Sequence, residues 1–294
     1  MDVIFGANGR AGGETAKALL ANGRSVRVVL RRAEQAEAWR ARGADVAIAD
    51  MEDTNAVAAA LQGASGAFLI NPPPVSGDPY RSTELIGTAL AQGAKRANLR
   101  KAVVLSSVGA QHASGTGVIS TLHRMETLLA DAAPSIAFLR PGYYVETWSE
   151  VADAVLGEGV LPTFLDPDLK IPMVSTIDVG RTAAALLGEE WTGKRVIELG
   201  GPDDWSAREV ADAFATVLGR PVTPAFIPGP ERAGVYAEAG VPEQVAEALL
   251  GMYDGLASGR IAREGGTEDR RGTTSLKTAV ARIVEGVRAN PDRQ

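Results

Sequence analysis

Residues 1–20, MDVIFGANGRAGGETAKALL, decide the fold: a short apolar run, DVIF, stops at a glycine-spaced turn, GANGRAGG, and an alanine-rich helical segment follows. Gly6, Gly9 and Gly12 recur at every third position. Glycine tolerates positive φ and leaves no Cβ between backbone and ligand, and a helix N-terminus offers free N–H groups to a pyrophosphate. The turn, with Asn8 and Arg10 between its glycines, is expected to cradle a dinucleotide. A tight strand-to-helix turn in any α/β protein would also place glycine here.

From this turn to about residue 140, short apolar runs alternate with longer helical periods: SVRVVL, ADVAIA, GAFLI, KAVVLSS and SIAFLR follow in order. Such alternation predicts βαβ units and a parallel sheet covered on both faces, with ligands outside the carboxyl ends of its strands. The expected class is α/β: a Rossmann-type doubly wound parallel sheet over residues 1–140 and a smaller α+β substrate-side domain over 141–294. Val179–Leu187 and then Arg195–Leu199 retain βα character, so elements near 174–200 are expected to return to the first domain.

The second apolar run ends VVLRR, which puts Arg31 and Arg32 where an acidic residue would accept from a ribose 2′-hydroxyl. A guanidinium there bonds a 2′-phosphate, so the expected cofactor is NADP(H); the alternative is a solvated surface pair. In ADMED, Asp50 can accept from an adenine amino group while Met51 packs on the ring. In LINPPP, Asn71 and Pro72 would wall the pyrophosphate and nicotinamide ribose. Both stretches also read as ordinary loop punctuation.

The totals exclude several classes. At 294 residues and 45% hydrophobic, the chain can bury a sizeable core. A net charge of −6 without a basic run argues against nucleic acid. With no cysteine and only two histidines, His112 and His123, no disulfide framework, thiolate zinc site or thiol nucleophile is available, and no metal is expected. No leader-like segment and no run of eighteen apolar residues occurs, so no membrane contact and a cytoplasmic location are expected.

Together GANGRAGG, VVLRR, ADMED, FLINPPP, VVLSSVGA, FLRPGYYVETW and PMVSTIDVGR resemble the NmrA-like branch of the atypical short-chain dehydrogenase/reductase superfamily, up to about residue 200. Proteins of that branch include NADPH-dependent quinone oxidoreductases, azo-dye reductases, plant aromatic-ether reductases and redox sensors that bind NADP without turnover. The resemblance implies NADP(H) more firmly than it implies a reaction.

In the wider superfamily a Tyr with a Lys four residues later moves the proton. Four residues beyond Tyr80, Tyr143, Tyr144, Tyr236 and Tyr253 stand Glu84, Thr147, Trp148, Gly240 and Ala257, so that pair is absent. Hydride transfer needs no side-chain acid when the acceptor is electron-poor and its reduced form takes a proton from water. By the resemblance, His123 stands where the ribose-holding Lys would sit, with Glu126 a turn further on. Ser106 and Ser107 stand where the superfamily carries a substrate-orienting hydroxyl, Ser106 on the cofactor side. His112 follows in QHASGTG, whose glycines suggest mobility, as an acceptor contact or a second proton donor.

Tyr143, Tyr144 and Trp148 follow the sixth apolar run in a chain with only 5% aromatics, which suggests a flat wall for a planar substrate, with Phe164 an addition. Spacing of four or five also lets them share a helical face and pack an interface. The expected protein is an NADPH-dependent reductase of quinones or azo compounds, with Ser107, His112, His123 and Tyr143 at the reaction centre. The alternative from another class is a non-catalytic NADP(H)-binding redox sensor acting through a protein partner. A small aromatic or quinonoid ligand suits either, and the sequence is compatible with a homodimer.

Overall fold

Runs of Val, Ile, Leu and Phe without polar alternation are stable as strands only where both faces of a sheet are covered. The computed structural model describes residues 1–289. Its chain order begins β1 (Asp2–Phe5), α1 (Arg10–Ala21), β2 (Val26–Leu30), α2 (Ala36–Arg40), β3 (Asp45–Ile48) and α3 (Thr54–Leu61). It continues β4 (Gly66–Leu69), α4 (Pro79–Arg96), β5 (Lys101–Leu105), α5 (Ile119–Leu129) and β6 (Ser135–Pro141). Then come β7 (Tyr143–Tyr144), a 3-10 turn (Val145–Val151), α6 (Ala152–Glu158), β8 (Val160–Thr163), β9 (Ile171–Val174) and α7 (Thr176–Gly188). The last elements are β10 (Gly193–Gly200), β11 (Asp204–Trp205), α8 (Ala207–Leu218), β12 (Thr223–Phe226), α9 (Gly229–Glu238), α10 (Glu243–Ala257), β13 (Glu268–Arg271) and α11 (Leu276–Ala289).

Eight strands form one sheet in the order β13-β10-β6-β5-β4-β1-β2-β3, and every pairing in it is parallel. Val3 of β1 lies between Arg27 of β2 and Ala67 of β4. The chain winds outward through β2 and β3 on one side, then starts again at β4 on the other. That reversal is the switch point of a Rossmann-type doubly wound sheet, and it opens a crevice between the loops after β1 and β4.

Three apolar cores hold the layers. On one face of the sheet Leu19, Val28, Trp39 and Leu186 pack beneath α1, α2 and α7. On the other, Leu61, Leu90, Met125 and Phe138 pack beneath α3, α4 and α5. The third core, with Trp148, Leu161, Phe214, Leu256 and Val280, joins the small β11-β9-β7 sheet to α8, α10 and α11. α7 lies on α1, where Gly180 has no room for a Cβ against the backbone of Glu14 and Thr15. β10 extends the main sheet beside β6, and β13, which lies outside the 174–200 stretch, extends it further beside β10.

At the amino end of β1, Asp2 is 1% exposed. Arg24 Nη2 approaches its Oδ2 to 2.8 Å, yet neither carboxylate oxygen has an aligned hydrogen-bond donor. Burial therefore outweighs the arginine and pushes this carboxyl above its ordinary pKa. Among the described residues, no helix is long and apolar enough to cross a membrane.

Candidate active site

The turn after β1 is built by close approach. Gly6 has φ +68°, and a Cβ on it would collide with the Ile70 side chain from the loop after β4. A Cβ on Gly12 would collide with the Gly6 backbone, and one on Gly9 would sit 3.2 Å from the Gly6 carbonyl oxygen. Gly9 N donates to Gly6 O at 2.9 Å, and Gly13 N to Gly9 O at 3.0 Å, which seats the turn on the first turn of α1. No side chain caps α1 and its first turn holds no acidic residue, so the positive end of the helix dipole faces the crevice. A backbone cradle without Cβ atoms and an uncapped helix end fit a dinucleotide's pyrophosphate.

The other residues assigned to the cofactor divide by environment. Asn8 Oδ1 accepts from Trp39 Nε1 at 2.8 Å, bracing the cradle against α2. Arg31 and Arg32 are exposed just past β2, and among the described residues neither side chain has a hydrogen bond or ion pair. Asp50 is exposed and accepts from Glu52 N at 3.0 Å, whereas Met51 is buried in the core beneath α3. Asn71 Nδ2 donates to Thr83 Oγ1 at 2.8 Å, tying the loop after β4 to α4, and Pro72 beside it is half-buried.

The Arg10 guanidinium donates to Glu150 at 3.0 Å, Ser149 Oγ at 3.2 Å and Thr147 Oγ1 at 3.4 Å, all in the 3-10 turn after β7.

Past β5 the two serines part. Ser106 is buried and donates to Glu126 Oε1 at 2.6 Å, and Glu126 in turn takes Arg140 Nε at 2.8 Å and Nη2 at 2.7 Å. Arg140 also holds Glu264 at 2.6 Å, which anchors the loop before β13. The buried charges of Glu126 and Arg140 thus stay paired, and the bond to Glu126 takes up the hydroxyl hydrogen of Ser106. Ser107 donates to its neighbour's carbonyl, Val108 O, at 2.9 Å and lines a cavity of about 40 Å³ with Tyr143, Gly142, Met252 and Ile261.

His123 and His112 lie outside that cavity's lining. His123 Nδ1 sits 2.8 Å from Ala110 O, so this nitrogen carries the hydrogen and pins the loop after β5 to α5. His112 is half-buried in that loop. Gly117 of QHASGTG, at φ +54°, presses on the backbone of α10, and Val118 N donates to Ala248 O at 2.7 Å.

The aromatic residues assemble differently from the spacing argument. Residues 143–144 are a strand, so successive side chains point to opposite faces. Tyr143 joins the third core while Tyr144 packs toward the sheet beneath α1 and α7, so the two do not form one wall. Tyr143 lies 6.1 Å from Trp148 and 6.4 Å from Tyr253 between ring centroids, and its hydroxyl is 3.2 Å from that of Tyr253. Phe164 meets Tyr253 at 5.1 Å and Tyr236 at 5.4 Å, both edge to face. Burial pushes the phenols of Tyr143, Tyr144, Tyr236 and Tyr253 above their ordinary pKa, so they stay protonated at neutral pH. Tyr236 and Tyr253 come from α9 and α10, and only tertiary packing brings them to Tyr143.

A glycine cradle at the first βα turn of a doubly wound parallel sheet, with unpaired arginines past the second strand, defines a dinucleotide-fold protein. The pattern of the NmrA-like family matches residues 3–262, and this chain belongs to that family. It is 26% identical over 288 residues to quinone oxidoreductase 2 of Escherichia coli, covering 96% of this chain and 98% of that protein. It is 24% identical over 253 residues to the NAD(P)H azoreductase of Xenophilus azovorans, covering 86% of each. The crystal structure of the Escherichia coli NADPH-dependent quinone oxidoreductase QOR2 complexed with NADPH superimposes with a TM-score of 0.80 at 25% identity, covering 97% of this chain and 100% of that one.

Proposed function

We propose that this chain is an NADPH-dependent reductase passing hydride to a planar, electron-poor acceptor, quinones first and azo compounds second. The observation that carries the reading is the Cβ-free cradle at α1 together with exposed, unpartnered Arg31 and Arg32 past β2. Gly6, Gly9 and Gly12 would admit the pyrophosphate, Arg31 and Arg32 the 2′-phosphate, and Asp50 the adenine edge. The quinone oxidoreductase and azoreductase relatives, one of them solved with NADPH, support the same reading.

Bound NADPH would supply the hydride, so that quinone, hydride and one proton give hydroquinone and NADP⁺. The chain's own part is placement. Ser107 and Tyr143 share one cavity, and the protonated Tyr143 phenol can donate a hydrogen bond to a carbonyl but cannot act as a base near pH 7. With its hydrogen on Nδ1, His123 keeps Nε2 as an acceptor for a ribose hydroxyl.

One observation favours a second reading. The cavity of about 40 Å³ lies far below the roughly 300 Å³ of a small ligand pocket. An acceptor therefore enters only if this wall, to which α10 supplies Met252 and Leu256, moves aside. A chain that kept that wall closed would bind NADP(H) as a redox sensor without turnover. Nicotinamide absorbance followed with NADPH or NADH and a panel of quinones and azo dyes separates the two. Acceptor-dependent oxidation faster with NADPH supports the reductase; tight NADPH binding with no oxidation by any acceptor turns the case to the sensor.

A further inference from the structure

Tyr253 acts on the reaction centre through Tyr143, an inference that rests on the reductase reading. Among the side chains lining the cavity of about 40 Å³, only Ser107 and Tyr143 carry an O–H or N–H group. The Ser107 hydrogen goes to Val108 O at 2.9 Å. Tyr143 is therefore the side chain left to donate into the cavity, and among the described residues its hydroxyl has one hydrogen-bond partner, the Tyr253 hydroxyl at 3.2 Å. Two phenols in one contact share one hydrogen bond and leave one hydrogen over. Donation from Tyr253 leaves the Tyr143 hydrogen for a ligand; donation from Tyr143 withdraws it.

The packing holds Tyr253 firmly. Its ring meets Phe164 edge to face at 5.1 Å. Arg232, buried in α9, lies 5.9 Å from the centre of the Phe164 ring, donates to Ile227 O at 3.1 Å and pairs at 3.3 Å with Asp254, the residue after Tyr253. On the other side of Tyr253 in sequence, a Cβ on Gly251 would collide with the backbone of Gly117, and the Ala248 carbonyl accepts from Val118 N at 2.7 Å. Met252, which lines the cavity, stands between these anchors. Its unbranched side chain can yield to an acceptor while Tyr253 keeps its place.

We infer that Tyr253 is a positioning residue: its hydroxyl donates to Tyr143 Oη and so turns the Tyr143 hydrogen onto the acceptor's oxygen. When a quinone takes up hydride, negative charge gathers on a carbonyl oxygen, and a donor already aimed there stabilises that charge without reorganising. Donation from Tyr253 also polarises the Tyr143 O–H and strengthens its bond to the acceptor. Burial keeps both phenols protonated at neutral pH, so the pair supplies hydrogen bonds, and the proton that completes the hydroquinone comes from water.

The test uses 4-nitrophenolate, a flat electron-poor ring with one charged oxygen, beside 4-nitrotoluene, the same ring with a methyl group in that oxygen's place. Dissociation constants are measured by equilibrium dialysis, at a pH that keeps the nitrophenol ionised, against the whole protein saturated with NADP⁺. This nucleotide cannot donate hydride, so binding is read apart from turnover. Tyr143→Phe should weaken nitrophenolate binding about 10- to 100-fold, as expected for a lost hydrogen bond to a charged group. Tyr253→Phe should weaken it about three- to tenfold. Neither variant should move nitrotoluene by more than about threefold, since it offers no oxygen at that position; a merely structural role for Tyr253 would weaken both ligands alike. The visible band of bound nitrophenolate should shift to longer wavelength in Tyr253→Phe, and further in Tyr143→Phe, as its oxygen loses hydrogen bonding. Unchanged or tighter nitrophenolate binding in Tyr253→Phe, equal losses for the two ligands, or no binding of nitrophenolate to the wild type would overturn the inference. If the expected pattern is found but NADPH is never oxidised, the positioning role stands and the reductase reading fails.

Discussion

Replacing Arg31 and Arg32 together by alanine probes the cofactor assignment with little structural side effect. Both side chains are exposed, and among the described residues neither holds a hydrogen bond or ion pair. Unfolding free energy should therefore stay within about 0.5 kcal/mol of wild type. A charge-assisted bond to phosphate contributes about 1.5–3 kcal/mol, and solvent screening at an exposed site brings the pair toward the low end, about 2 kcal/mol. That corresponds to roughly 30-fold weaker NADPH binding. NADH has no 2′-phosphate, so its dissociation constant should move by less than about threefold. Fluorescence titration of each nucleotide at low and high salt measures both, and the NADPH penalty should shrink as salt rises. Equal losses for the two nucleotides, or an unchanged NADPH affinity, would refute the 2′-phosphate assignment.

Gly6→Ala forces a side chain to φ +68° and into Ile70; it should lower unfolding free energy by about 1–3 kcal/mol in a denaturant titration and weaken NADPH binding. Glu126→Gln leaves the buried Arg140 with only the half-exposed Glu264 as its charged partner, and urea unfolding should show a loss of about 3 kcal/mol; a loss under about 1 kcal/mol would mean the pair is solvated. Asp2→Asn tests the buried carboxyl. Because its folded pKa is raised, the native state holds the proton more tightly than the unfolded chain, so wild-type stability falls as pH rises from the unfolded value through the folded one. The stability of the Asn variant relative to wild type should therefore increase from about pH 3 toward neutrality, and a flat difference over that range would contradict the account.

The central strands of the sheet were legible because they are buried on both faces and so appear as unbroken apolar runs between helical periods, whereas the edge strand β13, EDRR, carries no such run. GANGRAGG was legible for a related reason: a turn with no room for Cβ atoms must be written in glycine. Tyr143 and Tyr144 were harder, since five residues of spacing to Trp148 suits a helical face, whereas a two-residue strand against Met173 and Val174 sends the rings to opposite cores. The glycines of QHASGTG carry the same signal whether they free a loop or let it press on another helix, so the contact of Gly117 with α10 shows only in the fold. Arg140, Glu198 and Glu264 escaped notice altogether. Glu198, buried in β10, accepts from Glu264 N at 2.9 Å and Thr267 Oγ1 at 3.0 Å, and no local pattern marks a carboxylate that a loop 66 residues away will satisfy.

The central claim is hydride transfer from NADPH bound at the α1 cradle, and a single-turnover experiment tests it most directly. Protein loaded with one equivalent of NADPH is mixed anaerobically with 1,4-naphthoquinone, and loss of nicotinamide absorbance is followed alongside hydroquinone formation. The account predicts one hydroquinone per NADPH oxidised, at a rate far above the protein-free mixture and sharply reduced in the Arg31→Ala/Arg32→Ala variant at the same NADPH concentration. A cofactor that stays reduced, or oxidises no faster than without protein, would contradict it.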